Sequence, residues 1–181
     1  MLRPQEIGKC RQANLSFIQY RRGSWSEWPS GVQSQGKYDK ALECYRRALS
    51  REEKSLGKDH PDTLITVSFM AGVFRSQGKY DQALECYRRA LSGQEKSLGK
   101  DHLDTLITVC SIADVFRSQG KYDQALECYR RALSVQEKSL GKDHPDTLFT
   151  VSSMEIVFMC QGKYDEALGG TGEHWLGEKS A

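Results

Sequence analysis

Apolar residues recur every three or four positions in two adjoining stretches of the chain. The first stretch runs from Asp62 to Ser76, and its apolar positions share one helical face: Leu64, Val67, Ala71 and Phe74. The second runs from about Tyr80 to Leu98, with a corresponding face at Ala83, Leu84, Tyr87, Ala90 and Leu91. The pattern predicts two amphipathic helices, which we call helix A and helix B.

Residues at the ends of both stretches are typical of helix boundaries. The segment His60-Pro61-Asp62-Thr63 precedes helix A, and proline suits the first helical position while an acidic residue suits the first turn. Gln77-Gly78 follows helix A, and Gly99 follows helix B as a C-cap. We therefore expect a helical hairpin. Neither helix buries its apolar face alone, but stacked hairpins bury both.

The hairpin is repeated along the chain. Gln-Gly-Lys-Tyr-Asp begins at Gln35, Gln77, Gln119 and Gln161, and each start lies 42 residues after the one before. Residues 35–76 and 77–118 differ at only 8 of their 42 positions. Such agreement indicates recent duplication, so the same structural unit is expected to occur three times in the chain.

The repeat resembles a known family, the tetratricopeptide repeat, at a set of small, aromatic and glycine positions. These positions are Ala71, Phe74, Gly78, Tyr80, Ala83, Tyr87 and Ala90. The 42-residue period and the connector Leu-Gly-Lys-Asp-His-Pro-Asp-Thr resemble the kinesin light chain subtype. HEAT and WD40 repeats have similar periods, but the spacing of the signature disfavours the first and the lack of short alternating strands disfavours the second. The resemblance implies an all-α, right-handed α-solenoid of antiparallel helix hairpins that binds a protein or peptide.

The resemblance covers residues 32–168 and leaves a non-repeat segment at 1–31 and a tail at 169–181. Pro29 and Gly31 disrupt a helix where the first helix A is required. Gly169-Gly170-Thr171-Gly172 stands where a fourth helix B requires Glu-Cys-Tyr-Arg. We expect both flanking segments to be poorly ordered, apart from a loose helix over residues 7–20.

The array is thus expected to be truncated at both ends and to contain about six good helices. A solenoid usually closes with polar capping repeats. Without one, we expect Val157 and Phe158, near the end of the last helix A, to lose their cover. This predicts self-association through the uncapped C-terminal end, as in a fragment or shortened relative of a longer array.

Differences between the repeats are concentrated on one face of helix A. At 100° per residue the variable positions span about 120° of the helix, largely opposite Leu64, Val67 and Phe74. In tetratricopeptide arrays the corresponding face lines the concave groove that holds ligands. We call the predicted partner-binding residues on it the A-helix face: Ile65, Ser68, Phe69, Gly72, Arg75, Ser76, Ile107, Cys110, Ser111, Asp114, Arg117, Ser118, Phe149, Ser152, Ile156 and Met159.

Two interpretations explain this variation. Either the face diversifies to recognise partners, or exposed positions drift because packing does not restrain them. Drift alone would also scatter changes over the exposed side of helix B, where few are found, so we favour recognition. Arg75 and Arg117 are then candidates to bind carboxylates of an acidic peptide, and Ile65, Ile107 and Phe149 to receive an apolar anchor.

Nothing in the sequence predicts catalysis, a metal or a cofactor. His60, His102 and His144 are repeat-locked in the connector, where a helix-start role is the simpler explanation. Ser-Leu-Gly-Lys-Asp lacks the first glycine and the Ser/Thr of a phosphate-binding loop. The Tyr-Arg-Arg runs suggest nucleic-acid contact, but on helix B the tyrosine points inward and the arginines are solvated or pair with acids.

Composition narrows the functional class further. The net charge of +2 predicts no strong attraction to nucleic acid or acidic membranes, and no apolar run is long enough for a transmembrane helix or a signal peptide. Cys44, Cys86 and Cys128 occupy one repeat position, about 8–10 Å apart or more in stacked helices, so we expect free thiols rather than disulfides. We therefore expect a cytoplasmic binding scaffold rather than an enzyme.

The larger context of such a scaffold stays open. Near-identical repeats with one variable face resemble the recognition arrays of NLR-type immune receptors, which carry a nucleotide-binding domain. The connector equally resembles that of a kinesin light chain cargo adaptor, which carries a heptad coiled coil. Neither additional element is found in this sequence. A regulatory subunit of an enzyme is the alternative from another functional class.

Overall fold

The computed structural model describes residues 35–163, which form six α-helices without a strand in that range. The helices are α1 (Gln35–Ser55), α2 (Pro61–Ser76), α3 (Tyr80–Ser97), α4 (Leu103–Ser118), α5 (Tyr122–Ser139) and α6 (Pro145–Cys160). Helices α2, α4 and α6 are A helices, and α1, α3 and α5 are B helices. The predicted bounds of the best-formed hairpin agree to within one residue. Predictions for residues 1–31 and 169–181 lie outside the described residues.

Each A helix begins at a histidine that caps it. In all three, the imidazole Nδ1 accepts a hydrogen bond of 3.2 Å from the backbone N–H of the aspartate two residues later. This satisfies one of the N–H groups that a helix start otherwise leaves without an intrahelical partner. The capping residues are His60, His102 and His144. Their predicted helix-start role is confirmed.

A threonine fixes the connector to the same helix start. Thr63 donates its hydroxyl to the carbonyl of Gly57 at 2.9 Å, and the bond recurs at the same distance from Thr105 to Gly99 and from Thr147 to Gly141. Gly99 has a φ of +98°, a left-handed conformation that L side chains rarely adopt. The connector sequence recurs in each repeat because these glycine and threonine positions fix its backbone geometry.

Two hydrophobic clusters run through the stack and meet at α4. The first joins α1, α2, α3 and α4, and the second joins α4, α5 and α6. The first contains Leu42, Met70, Ala71, Phe74, Ala83, Leu84, Tyr87, Ile112 and Val115. The second contains Leu106, Cys110, Ala113, Ala125, Leu126, Tyr129, Ala132, Leu133, Met154, Val157 and Phe158. Each helix thus buries its apolar face against its neighbours in the stack, as the repeat pattern predicts.

The predicted loss of cover at Val157 and Phe158 is wrong. Their exposed fractions are 0% and 1%, because both side chains face back into the cluster formed with α4 and α5. Exposure at α6 falls instead on Leu148, which is 50% exposed, whereas the equivalent Leu64 and Leu106 are 0% exposed. The uncovered side of α6 is therefore the side that faces a partner B helix in the other hairpins.

A buried polar pair connects α3 to α4 and α5 to α6, the A helices that follow them. Thr108 donates its hydroxyl to Gln94 Oε1 at 2.7 Å, and Thr150 donates to Gln136 Oε1 at 2.8 Å. In α1 the equivalent position holds Glu52, and its buried Oε2 has no hydrogen-bond partner. The first B helix therefore carries a carboxylate where the others carry a satisfied amide.

We predict that Glu52→Gln raises the free energy of unfolding by about 1 kcal/mol, because it removes a partly buried charge whose oxygen lacks a partner. The reverse change, Gln94→Glu, is the matched control and is expected to lower stability by a similar or larger amount, since Gln94 is 6% exposed. Urea denaturation at neutral pH measures both. Equal stabilities of the two variants would contradict the prediction.

Candidate functional site

Side-chain contacts between successive A helices place the residues of the A-helix face on one surface. Arg75 on α2 donates to Asp114 on α4 at 2.8 Å, and Cys110 on α4 lies 3.8 Å from the hydroxyl of Thr150 on α6. The three A helices are therefore neighbours in space, although 42 residues separate equivalent positions in sequence.

The sixteen predicted residues differ in how far they reach the surface. Cys110 and Asp114 are buried, with exposed fractions of 5% and 6%, so neither presents a side chain to a ligand. Eight are half-buried, namely Ser68, Phe69, Gly72, Arg75, Ile107, Ser111, Arg117 and Phe149. Six are exposed, namely Ile65, Ser76, Ser118, Ser152, Ile156 and Met159. The accessible part of the face is thus fourteen residues.

Four serines of the face bond to their own helices. Each donates its hydroxyl to the carbonyl four residues earlier, at 2.8–3.1 Å: Ser68, Ser76, Ser111 and Ser118. Such bonds from serine to the preceding turn are common inside helices, and they occupy the hydroxyl hydrogen that could otherwise be donated to a ligand. The short serine side chains therefore stay close to the helix backbone, and the larger side chains of the face extend beyond them.

The projecting side chains are mostly apolar. Ile65, Ile156 and Met159 are 40%, 39% and 48% exposed, so their side chains are available for contact with a ligand. Phe69 stacks against Tyr45 of α1, with ring centroids 5.9 Å apart and planes 23° from parallel. The stacking fixes the Phe69 ring while leaving it half-buried at the surface.

A polar group, which we call the Asp114 cluster, ties three helices together below the face. Asp114 on α4 accepts hydrogen bonds from Arg75 on α2 at 2.8 Å, from Arg117 on its own helix at 3.4 Å, and from the hydroxyl of Tyr129 on α5 at 2.6 Å. The carboxylate is thus surrounded by two cations and a hydroxyl. Charge-assisted bonds of this kind are stronger than neutral ones.

Burial and charge keep the donors of this cluster protonated. Burial raises the pKa of Tyr129 far above its ordinary value, and the neighbouring carboxylate of Asp114 raises it further. Burial lowers the pKa of Arg117, but the charges of Asp114 and Tyr129 and the hydrogen bonds to both together outweigh it, so the net shift is upward. Tyr129 is therefore a neutral donor and Arg117 a cation at neutral pH.

Sequence reasoning identified Asp114, Arg75 and Arg117 as members of one variable face but missed their mutual contact. The available signal was that position 72/114/156 reads Gly, Asp and Ile, so a carboxylate occurs only in the copy flanked by arginines at 75 and 117. As a consequence, both arginines expected to bind an acidic peptide already bind an internal carboxylate.

The helix B features also have structural roles. Tyr87 and Tyr129 are 5% and 1% exposed, so the tyrosine points inward as predicted in two of the three Tyr-Arg-Arg runs, whereas Tyr45 of the first run is half-buried. Arg89 pairs with Glu53, and Arg131 pairs with Glu95 at 2.7 Å. The thiols of Cys44, Cys86 and Cys128 are free, also as predicted.

Residues 35–163 contain neither a group of metal ligands nor a helix that could span a membrane. Histidine, cysteine and acidic side chains form no group of three suited to a metal ion in this part of the chain. None of the described helices combines the length and apolar character that crossing a membrane requires.

Comparison with known proteins supports the repeat assignment. A family model described as "Tetratricopeptide repeat" matches residues 32–96, 64–138 and 107–169. No curated protein matches the chain.

Solved structures that are similar in fold include the following two. One contains the nearly identical TPR-like repeats of a Podosopora anserina protein described as a kinesin light chain, with 23% identity, a TM-score of 0.66, and coverage of 76% of this chain and 65% of that chain. The other is BtubC (BKLC) from P. vanneervenii, with 19% identity, a TM-score of 0.67, and coverage of 91% and 71%. This chain thus aligns with less than two thirds of the first protein, and at these identities the likeness concerns the fold alone.

We predict that Asp114→Ala lowers the free energy of unfolding by about 3 kcal/mol, because it leaves two arginines and a buried hydroxyl without their shared acceptor. The matched control, Asp101→Ala, removes an exposed carboxylate in a connector and is expected to change stability by at most about 0.5 kcal/mol. Denaturant titration measures both, and similar losses would contradict the role assigned to the cluster.

We also predict a specific alkaline pH dependence. Above about pH 10, the ordinary pKa of tyrosine, an unfolded Tyr129 loses its proton while the folded one keeps it. The free energy of unfolding therefore falls as pH rises through this range. Tyr129→Phe is expected to reduce this slope, which denaturation at a series of alkaline pH values measures. Identical slopes for the two proteins would show that Tyr129 does not contribute.

Proposed function

Because the chain belongs to the tetratricopeptide repeat family, we propose that it is a scaffold that binds a protein or peptide on its A-helix face. Repeats of this family generally bind protein partners, and members are typically scaffolds rather than enzymes. The face spans α2, α4 and α6, whose side chains contact one another across the stack.

The observation that carries this proposal is the unequal distribution of differences among near-identical repeats. The A-helix face varies at six positions per repeat, whereas the exposed side of helix B is almost constant. Arg88 and Arg130, for example, are both exposed and are the same residue in both copies. Solvent exposure alone therefore does not explain where the changes occur, which supports selection for a ligand.

The chemistry of the accessible face favours an apolar anchor in the ligand. Ile65, Ile156 and Met159 project from the surface, while the back-bonded serines keep the space between them shallow. An acidic ligand residue remains part of the proposal. Arg117 is its candidate partner, because the side chain stays 29% exposed while it contacts Asp114. Arg75, at 14% exposed, is less accessible.

Three biological contexts fit such a scaffold. The first is the recognition array of an NLR-type receptor, supported by near-identical repeats with one variable face. The second is a cargo adaptor like a kinesin light chain, supported by the 42-residue connector and by the description of the P. anserina relative. A regulatory subunit of an enzyme is the third. In all three contexts we propose a cytoplasmic location for the protein, because free thiols at three equivalent positions fit a reducing compartment.

We predict that peptides selected on this protein from a random display library carry apolar anchors and bind the A-helix face. For a fluorescently labelled selected peptide, Ile65→Ala combined with Ile107→Ala should weaken binding at least about tenfold, or about 1.4 kcal/mol. Fluorescence anisotropy measures the affinity, and circular dichroism confirms that the variant is folded.

The matched control is Arg88→Ala, which changes an exposed residue on helix B. It is expected to leave the affinity unchanged. An equal loss of affinity from Arg88→Ala and from the double isoleucine variant would remove the A-helix face as the binding surface.

A further inference from the structure

The described stack begins with a B helix and ends with an A helix. Within the stack, α2 pairs with α3 and α4 pairs with α5 as A–B hairpins. The α2–α3 contact is so close that a Cβ added at Gly93 would lie 2.4 Å from Leu64 Cδ1. In α4–α5, Leu106 lies in one cluster with Ala125 and Ala132. These two interfaces show what an A helix and a B helix bury against each other.

Helix α6 lacks this cover. Leu148 occupies the position of Leu64 and Leu106, yet it is 50% exposed where they are 0% exposed. The rest of the α6 core is intact, since Met154 and Val157 are each 0% exposed. The exposed side of α6 is therefore specific to the A–B hairpin interface and does not reflect general loosening of the helix.

Among the described helices, none covers the complementary side of α1, and this side is less buried than in α3 and α5. Ala41 and Ala48 are half-buried in α1. The four equivalent alanines of α3 and α5 are each 0% exposed: Ala83, Ala90, Ala125 and Ala132. The other side of α1 packs normally on α2, since Leu42 is 3% exposed. The open side of α1 is thus the one that an A helix covers in the remaining hairpins.

The two open surfaces match the internal hairpins in most of α1 and at the start of α6. Residues 38–55 of α1 differ from residues 122–139 of α5 at only three positions. Residues 145–148 of α6 repeat the Pro-Asp-Thr-Leu with which α2 presents Leu64. The sequence after α6 departs from the repeat, because Gly169-Gly170-Thr171-Gly172 replaces Glu127-Cys128-Tyr129-Arg130 of α5. The best match for the open side of α6 is therefore α1.

We propose that α6 of one copy packs on α1 of a second copy, so that the chains associate head to tail through an A–B interface of the kind inside each chain. Such a contact uses two different surfaces and is not self-closing, so each added copy leaves one open α1 and one open α6. Mass therefore rises with concentration beyond that of a dimer, unless the rotation per copy closes a ring.

One residue on each surface opposes the contact. On α6, Glu155 stands where α2 and α4 have Ala71 and Ala113, which are both 0% exposed. On α1, Arg51 stands where Gly93 lies against Leu64 and where α5 has Val135. An arginine at this position places a long charged side chain beside Leu148 of the next copy. Arg51→Val restores the residue of α5 and is expected to strengthen association about tenfold, as expected for one additional buried apolar side chain.

Mixing two variants of the full chain tests the proposal. Leu148→Glu blocks the α6 surface, and Ala48→Glu blocks the α1 surface. Each variant alone is expected to sediment as a monomer, because each lacks one half of the interface. An equimolar mixture retains one productive pair, the α6 surface of the Ala48→Glu copy with the α1 surface of the Leu148→Glu copy, and is expected to form a heterodimer that does not grow.

Sedimentation velocity over a wide concentration range measures these masses, and thermal unfolding confirms that each variant is folded. Wild-type protein that stays monomeric throughout would overturn the proposal, as would either variant associating alone or a mixture that stays monomeric. If residues 164–181 cover Leu148, the wild type remains a monomer and Leu148→Glu changes stability only. That outcome is also negative, and it leaves ligand binding by the A-helix face unaffected.

Discussion

The structure depends on one packing relation, the contact between the apolar side of an A helix and the apolar side of a B helix. Each large side chain buried there contributes about 1.5–3 kcal/mol to the stability of the fold, but an isolated helix cannot bury these side chains. A hairpin buries only one side of its B helix, and the other side requires the next A helix. Stacking is therefore the way in which this sequence completes its core, and contacts remain confined to neighbours.

This relation divides the surface of each A helix into two parts with different freedom. Leu64 and Val67 face the stack and recur in the next copy, while Ile65 and Phe69 lie on the remaining arc. The connector is also constrained, since the histidine cap and the threonine bond fix where each A helix starts. A constant scaffold with one unconstrained arc is a suitable arrangement for changing a ligand without refolding the protein.

The sequence was sufficient to predict the helices, their order, their bounds and the helix-start role of His60, because these follow from periodicity and local bonding. It was not sufficient where the answer depends on which neighbour covers a residue. Phe158 was expected to be open and is buried, while Leu148 is exposed. Periodicity gives the face of a helix on which a side chain lies but not the partner of that face. The Asp114 cluster was missed for the same reason, because its members come from three helices.

The proposed ligand-binding face and the proposed association of copies both depend on which helix covers which neighbour. A face defined by repeated A helices ends where the stack ends, and the stack ends where an A or B helix has no partner. If copies join through α6 and α1, the A helices of one copy continue into those of the next, because the joint has the geometry of an internal hairpin. The A-helix face then lengthens without any new sequence. A ligand too extended for three A helices can bind across the joint, and its binding would in turn favour association, since the two equilibria are thermodynamically linked.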